Sequence, residues 1–65
     1  MSVKWKRNQV QDKVNGIIAS CNDIIEDYQN GDPYELYFTD KLDCIIRAAK
    51  EAKDLCYVIV DEEEE

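Results

Sequence analysis

A helix-breaking sequence lies almost at the midpoint of this chain, at residues 30–33, and reads Asn-Gly-Asp-Pro. Gly31 can adopt the left-handed conformation that ends many helices, so we expect a first helix to stop here. Asp32 is a preferred N-cap, and Pro33 suits the first helical position because its missing N–H would be unpaired there anyway. Glu35, at the third helical position, completes a pattern like a capping box. The sequence therefore predicts a tight turn between two helices.

Apolar residues follow helical spacing, in steps of three and four, on both sides of this turn. The first stripe contains Val3, Val10, Val14, Ile17, Cys21, Ile24 and Tyr28, and the second contains Phe38, Leu42, Ile45, Ala49, Ala52, Cys56 and Ile59. We therefore predict an all-α fold with one domain over residues 1–65. It comprises a helix over about 4–29, a turn at 30–32, a helix over about 33–60 and an acidic tail at 61–65.

Two places in these helices leave alternatives open. Gly16 costs up to about 1 kcal/mol relative to Ala in the middle of a helix. It is either a tolerated weak spot or a point where another helix crosses too closely for a side chain. Thr39 and Asp40 could cap a later start of the second helix, which would leave residues 33–38 as a short separate turn.

The charge distribution agrees with a hairpin. Two helices joined by so short a turn must be antiparallel. Residues 1–13 carry a net charge of +3 and the last five residues carry −5, within a total of −7. Antiparallel packing places Lys4, Lys6 and Arg7 beside Asp61–Glu65. Positive charges are unfavourable at the start of a helix and negative charges at its end, so the proximity of the two groups offsets both effects. Exposed ion pairs contribute about 0–1 kcal/mol each, so they support the register without holding the fold together.

The chain is too short for a large core. A domain of 65 residues buries only about 60% of its unfolded surface, and small domains often depend on disulfides, metals or oligomerisation. There is no histidine, and the three cysteines form no C-x-x-C pair and follow no secretion signal. We therefore expect free thiols, a cytoplasmic location, and no metal or cofactor. The apolar stretches are also too short to span a membrane.

Each apolar stripe is wider than one seam between two helices requires. Ile18 and Ile25 of the first helix, and Ile46 and Leu55 of the second, are left over. The simplest second surface is another copy of the chain. We therefore predict a homodimer with a four-helix core and these four residues at its interface. The alternative is that the surplus apolar face binds a different protein.

The sequence carries no motif for catalysis. Phosphate-binding loops, zinc ligand sets and hydrolase signatures are absent. Cys21 and Cys56 lie on the apolar stripes and are expected in the core. Cys44 is expected at the surface near Asp40 and Asp43, whose negative charges disfavour a reactive thiolate. We predict no enzymatic activity and no catalytic residues.

Acidic residues and tyrosines cluster around the turn. The set comprises Asp23, Glu26, Asp27, Asp32, Tyr34, Glu35 and Tyr37. The carboxylates can be read as a solvated face, and they lack the alternating ligands of an EF-hand. Tyrosine combines an apolar body with a polar tip and is enriched at interfaces. We predict a docking site here for a basic protein, because the net negative charge repels nucleic acid and anionic lipid.

These features predict a small acidic protein-binding module. A more specific hypothesis is an inhibitor whose carboxylates occupy a basic, nucleic-acid-binding surface of its target. In size and charge only, the chain is similar to small acidic proteins that bacterial viruses (phages) encode against host enzymes and defence systems. No motif carries this likeness. The alternative function is that of a structural or regulatory dimerisation subunit.

Overall fold

A computed structural model describes residues 3–63 and contains two α-helices packed against each other. Helix α1 spans Val3–Gln29 and helix α2 spans Leu36–Glu63. The all-α hairpin predicted from the sequence is confirmed. Its dimensions are 52 × 16 × 12 Å, so the hairpin is a rod. The predictions that concern residues 1–2 and 64–65 lie outside the described residues, and no described helix is long and apolar enough to cross a membrane.

The end of α1 lies where the sequence indicates. The backbone N–H of Asn30 donates to the carbonyl oxygen of Glu26 at 2.9 Å, which is the last bond of helical spacing. The next residue, Gly31, has a φ of +147°, a value that residues with a side chain rarely adopt. Glycine is therefore required at this position, because the chain leaves the helix here with a positive φ.

Helix α2 begins three residues after Pro33, at Leu36. Just before and at its start, the N–H of Tyr37 donates to the carbonyl oxygen of Tyr34, and the N–H of Phe38 donates to that of Glu35, both at 2.9 Å. These bonds span three residues, as in the tighter 3₁₀ turn that often precedes an α-helix. Residues 32–34 have no regular structure, so the connection is longer than the predicted turn.

Glu35, just before α2, makes a contact that the predicted capping pattern does not include. Its Oε2 accepts a hydrogen bond from the hydroxyl of Tyr28 at 3.1 Å. The alternative start at Thr39 is not found. Thr39 lies within α2, and its hydroxyl donates to the carbonyl oxygen of Leu36 at 2.8 Å.

The two helices share one narrow apolar seam. Among the described residues only Phe38, Ala52 and Ile59 are buried, and all three belong to α2. The half-buried positions between them in α2 are Lys41, Ile45, Ala48 and Leu55, and those of α1 include Lys6, Val10, Lys13, Ile17, Ser20, Cys21 and Ile24. The core is therefore thin, and α1 has no fully buried residue within it.

This seam corrects part of both predicted stripes. Val14 and Tyr28 of the first stripe are exposed. In the second stripe Leu42, Ala49 and Cys56 are exposed, and the positions one residue earlier take their places. A lysine can occupy such a position because its aliphatic stem lies along apolar surface while its ammonium group stays in water. The exposure of Cys56 contradicts its expected place in the core, whereas Cys44 is exposed and Cys21 is half-buried.

Gly16 lies in open space within α1. A Cβ atom added there would have no heavy atom within 4 Å. Close approach of α2 therefore does not explain this glycine, and of the two alternatives the tolerated weak spot agrees with the hairpin.

Ion pairs connect the open end of the hairpin, where α1 begins and α2 ends. Lys6 pairs with Glu62 and Arg7 pairs with Glu63. The predicted approach of the basic start to the acidic end is confirmed by these two contacts. One further pair joins Lys13 Nζ to Glu51 Oε1 at 2.9 Å. All three pairs have solvent-exposed members, so each contributes little to the stability of the fold.

Candidate protein-binding site

The turn end of the hairpin exposes two tyrosines that contact each other. Tyr34 is 54% exposed and Tyr37 is 76% exposed. Their ring centroids lie 4.9 Å apart with the ring planes at 86°, which is an edge-to-face contact. Such a contact is worth about 0.5–1.5 kcal/mol beyond the area it buries, so each ring restrains the other. The pair is an aromatic surface arranged in advance of any binding.

Below this pair, a second aromatic contact joins the two helices. The ring of Tyr28 lies 5.4 Å from the ring of Phe38, tilted by 41°. Partial removal from water raises the pKa of Tyr28, and the hydrogen bond to Glu35 and the negative charge of that carboxylate raise it further. Tyr28 therefore remains a neutral donor at pH 7, and it connects the last turn of α1 to the residue just before α2.

A shallow groove of about 330 Å³ opens beside these rings. Its lining consists of Asp27, Asn30, Gly31, Asp32, Pro33, Tyr34, Tyr37 and Phe38. Carboxylates and aromatic faces therefore border the same space. This combination suits a lysine or arginine side chain, because its charge can meet the carboxylate or the ring face while its aliphatic stem lies on the aromatic surface.

The groove brings together four of the seven predicted binding residues: Asp27, Asp32, Tyr34 and Tyr37. Glu35 lies beside them, hydrogen-bonded to Tyr28. Asp23 and Glu26 are exposed on α1 and do not line the groove. These two carboxylates contribute to the charge of this end of the rod but are separate from its pocket.

The half of the chain around the turn is uniformly negative. From residue 14 to residue 40 the sequence contains no lysine or arginine and six acidic residues: Asp23, Glu26, Asp27, Asp32, Glu35 and Asp40. All six are exposed. The other residues carry eight bases against nine acids, so −6 of the net −7 belongs to this half. We call residues 14–40 the acidic half and the remainder the balanced half.

Ion pairing does not reduce the charge of the acidic half. The three ion pairs found among residues 3–63 all lie in the balanced half. The same described residues contain no group of three acidic or cysteine side chains that could hold a metal ion. The negative charge of the six carboxylates is therefore not offset by these ion pairs, and its field extends about one Debye length, roughly 8 Å at physiological salt.

Sequence reasoning missed several residues of this site. Tyr28 and Phe38 belong to the predicted apolar stripes, yet Phe38 lines the groove, and Tyr28 contacts Phe38 and donates a hydrogen bond to Glu35. Asp40 enters the sequence interpretation as a possible helix cap and as a neighbour of Cys44, although it belongs to the acidic half. The absence of lysine and arginine over residues 14–40 is the sequence signal that could have found it.

Comparison with known proteins identifies no relative, since no protein-family model, curated protein or solved structure matches this chain significantly.

Proposed function

We propose that this chain is an acidic protein-binding module without catalytic activity, and that its turn end docks on a basic surface of another protein. The observation that carries the proposal is the concentration of six exposed carboxylates, unopposed by any lysine or arginine of residues 14–40, around an arranged pair of exposed tyrosines. Carboxylates attract and orient a basic partner, and the tyrosines supply apolar contact once water has been displaced.

The partner's basic groups would enter the groove at the turn. Asp27 and Asp32 offer charge-assisted hydrogen bonds, each worth about 1.5–3 kcal/mol when formed in a desolvated contact. Tyr37, the most exposed large hydrophobic side chain of this end, offers a ring face to an arginine or lysine. Loss of two such contacts should weaken binding by at least about tenfold, since 1.4 kcal/mol corresponds to a factor of ten.

A more specific form of the proposal is inhibition of a nucleic-acid-binding protein. Such proteins bind phosphates through clusters of lysine and arginine, and exposed carboxylates can occupy the same clusters. A virus-encoded inhibitor of a host enzyme or defence system would work in this way. The three free cysteines support a reducing compartment such as the cytoplasm as its place of action.

The alternative function, a structural or regulatory dimerisation subunit, is favoured by a different observation. Ile18, Ile25 and Ile46 are each more than half exposed, which is unusual for isoleucine in a small protein. We propose that the hairpin forms a homodimer with a four-helix core in which these residues are covered. Leu55 is half-buried in the seam, so it has less surface to offer to a partner than the other three predicted interface residues.

Matched charge variants test the docking proposal. Asp27→Asn combined with Asp32→Asn removes two carboxylates from the groove. Asp43→Asn combined with Asp54→Asn removes two exposed carboxylates from the balanced half and changes the net charge equally. Each variant and the unaltered chain would be used to capture proteins from a lysate of candidate host cells, with quantification by mass spectrometry.

We expect a basic protein that the unaltered chain and the balanced-half variant capture equally and that the groove variant captures at least about tenfold less. Its affinity should fall as salt rises, and a nucleic acid oligomer should displace the chain if the target surface binds nucleic acid. A partner that both variants bind equally would overturn the turn end as the docking site. Capture of nothing beyond the chain itself would favour the dimerisation subunit.

A further inference from the structure

We infer that two hairpins pair in opposite directions through one apolar face, so that the turns of the dimer lie at its two far ends. This inference rests on the proposed self-association and extends it, because it specifies the face, the direction and the consequence for partner binding. The occupant of the face is a second copy of this chain.

Six of the exposed apolar residues have a regular relation to the seam. Each of the six directly follows a seam residue along its helix: Val14 follows Lys13, Ile18 follows Ile17, Ile25 follows Ile24, Leu42 follows Lys41, Ile46 follows Ile45 and Val60 follows Ile59. One residue is about 100° of rotation in an α-helix. On both helices, therefore, these six residues lie at nearly a right angle to the seam, rotated in the same sense.

These six residues form a single face of the hairpin. The two helices are antiparallel, so the same rotation away from their shared seam leads to the same side of the molecule. The residues that precede the seam support this geometry, because Gly16 and Cys44 line a common groove of about 260 Å³ on the opposite side. We call the face made by Val14, Ile18, Ile25, Leu42, Ile46 and Val60 the apolar face.

A four-helix bundle requires a surface of this kind. Each helix of such a bundle touches two neighbours, in directions about 90° apart, with interaxial distances of about 8–10 Å. In this chain the seam provides the first contact and the apolar face provides the second. All six residues of the face are between 42% and 64% exposed in the isolated hairpin, so they have surface left to bury.

The exposed area agrees with one missing partner. The chain exposes 5221 Å². A compact monomer of this mass would expose about 4300 Å², and the excess of about 900 Å² is close to the roughly 800 Å² that each partner buries in a stable interface. One copy of the same rod, laid on the apolar face, is large enough to cover this excess.

Charge determines the direction of the pair. If the turns lay together, two acidic halves of −6 each would face one another at the spacing of packed helices. In the opposite direction, each acidic half lies against the balanced half of its partner, which carries all eight lysines and arginines. Packed helices are separated by no more than about one or two Debye lengths at physiological salt. The repulsion between two acidic halves would therefore be only partly screened, and the antiparallel direction avoids it.

The apolar face is also centred for such a pairing. Lys13 contacts Glu51 and Tyr28 contacts Phe38, so Ile18 and Ile46, which lie between these contacts, are at about the same height near the middle of the rod. A two-fold axis through this height superimposes the full length of the two hairpins. The dimer then presents one acidic turn at each end and can bind two basic partners at once.

Distances between spin labels test this arrangement. In a chain whose three cysteines are replaced by serine or alanine, Gln29→Cys places a label on an exposed residue at the turn end of α1. With the two-fold axis at Ile18, the labels of an antiparallel dimer lie about 30–40 Å apart. With the turns together they lie about 10–20 Å apart. Asn15→Cys, near the middle of α1, is the control because its labels stay within about 30 Å in both arrangements.

We expect dipolar coupling at about 30–40 Å for the turn-end label and at a shorter distance for the control. A short distance for both labels would overturn the antiparallel direction. Absence of coupling for both labels would overturn the dimer. Neither result would contradict docking at the turn, because the charge variants at Asp27 and Asp32 test that proposal on the monomer and the dimer alike.

Discussion

The two glycines of this chain should respond in opposite ways to the same substitution. Gly31 has a φ of +147°, which is strained for a residue with a Cβ atom. Gly31→Ala should therefore lower the free energy of unfolding by about 1–2 kcal/mol. Gly16 is helical with open space around it, so Gly16→Ala should raise the free energy of unfolding by about 0.5–1 kcal/mol. Urea unfolding followed by the helical circular dichroism signal measures both changes.

The Gly16→Ala result also bears on the dimer. Gly16 lines the groove opposite the apolar face, so pairing through the apolar face leaves it free. Loss of stability in Gly16→Ala would show that a second chain crosses closely at this glycine. That outcome would contradict the pairing inferred above.

The Lys13–Glu51 pair should make stability depend on pH. The hydrogen bond from Lys13, together with its positive charge, lowers the pKa of Glu51, and the charge of Arg47 adds to this effect. Because the folded pKa lies below the unfolded value of about 4.3, the contribution is complete above that value and is lost as pH falls through the folded pKa. Stability of the unaltered chain should therefore exceed that of Glu51→Gln at neutral pH and approach it in acid.

Unfolding midpoints in urea, measured from about pH 7 down to about pH 3, would follow this difference. The effect should be small, since both side chains contact solvent. Asp43→Asn, which removes an exposed carboxylate outside the three ion pairs, is the control. A gap between the unaltered chain and Glu51→Gln that stays constant in acid would contradict the pairing as its source.

At the scale of the helices, features that depend on neighbours along the chain could be predicted from the sequence. Features that depend on contacts between the two helices could not. The end of α1 depends on Gly31 and its backbone, and the sequence identifies both. The region just before α2 contains a contact with the other helix, in which Tyr28 donates a hydrogen bond to the carboxylate of Glu35. Capping patterns describe neighbours along the chain, so they contain no information about this bond.

The set of α2 residues that lies in the seam also depends on contacts between the helices. Phe38, Ile45, Ala52 and Ile59 recur every seven residues and belong to two possible stripes. One stripe adds Leu42, Ala49 and Cys56, and the other adds Lys41, Ala48 and Leu55. Hydrophobicity favours the first, but the hairpin uses the second and leaves Leu42 exposed. A sequence pattern shows how much apolar surface a helix carries. Which part of that surface lies in the seam depends on how the partner helix packs against it.

For the whole molecule, the separation of its surfaces follows from the hairpin geometry. Ion pairs occupy the open end, carboxylates and tyrosines occupy the turn end, and the apolar face runs along one side. The turn-end cluster could be predicted because its residues are close in sequence. The position of Ile18 and Ile46 on the same side of the hairpin could not be predicted, because it depends on the rotation of each helix relative to the seam. The proposed self-association and the proposed partner docking therefore involve different surfaces, and substitutions can test them independently.

Adjacent isoleucines of α2 provide a test of this separation. Ile45 is half-buried in the seam, so Ile45→Glu places a charge there and should unfold the hairpin, at a cost of about 2–5 kcal/mol. Ile46 is 64% exposed on the apolar face, so Ile46→Glu should keep the helical signal and reduce the sedimentation mass at low micromolar concentration from two chains to one. Val58→Glu, at a 42% exposed residue turned about 120° from Ile46 around α2, should leave the sedimentation mass at two chains.

Equal loss of helix in Ile45→Glu and Ile46→Glu would mean that the seam and the apolar face are not separate surfaces. An unchanged mass in Ile46→Glu would show that the chains do not pair through this face.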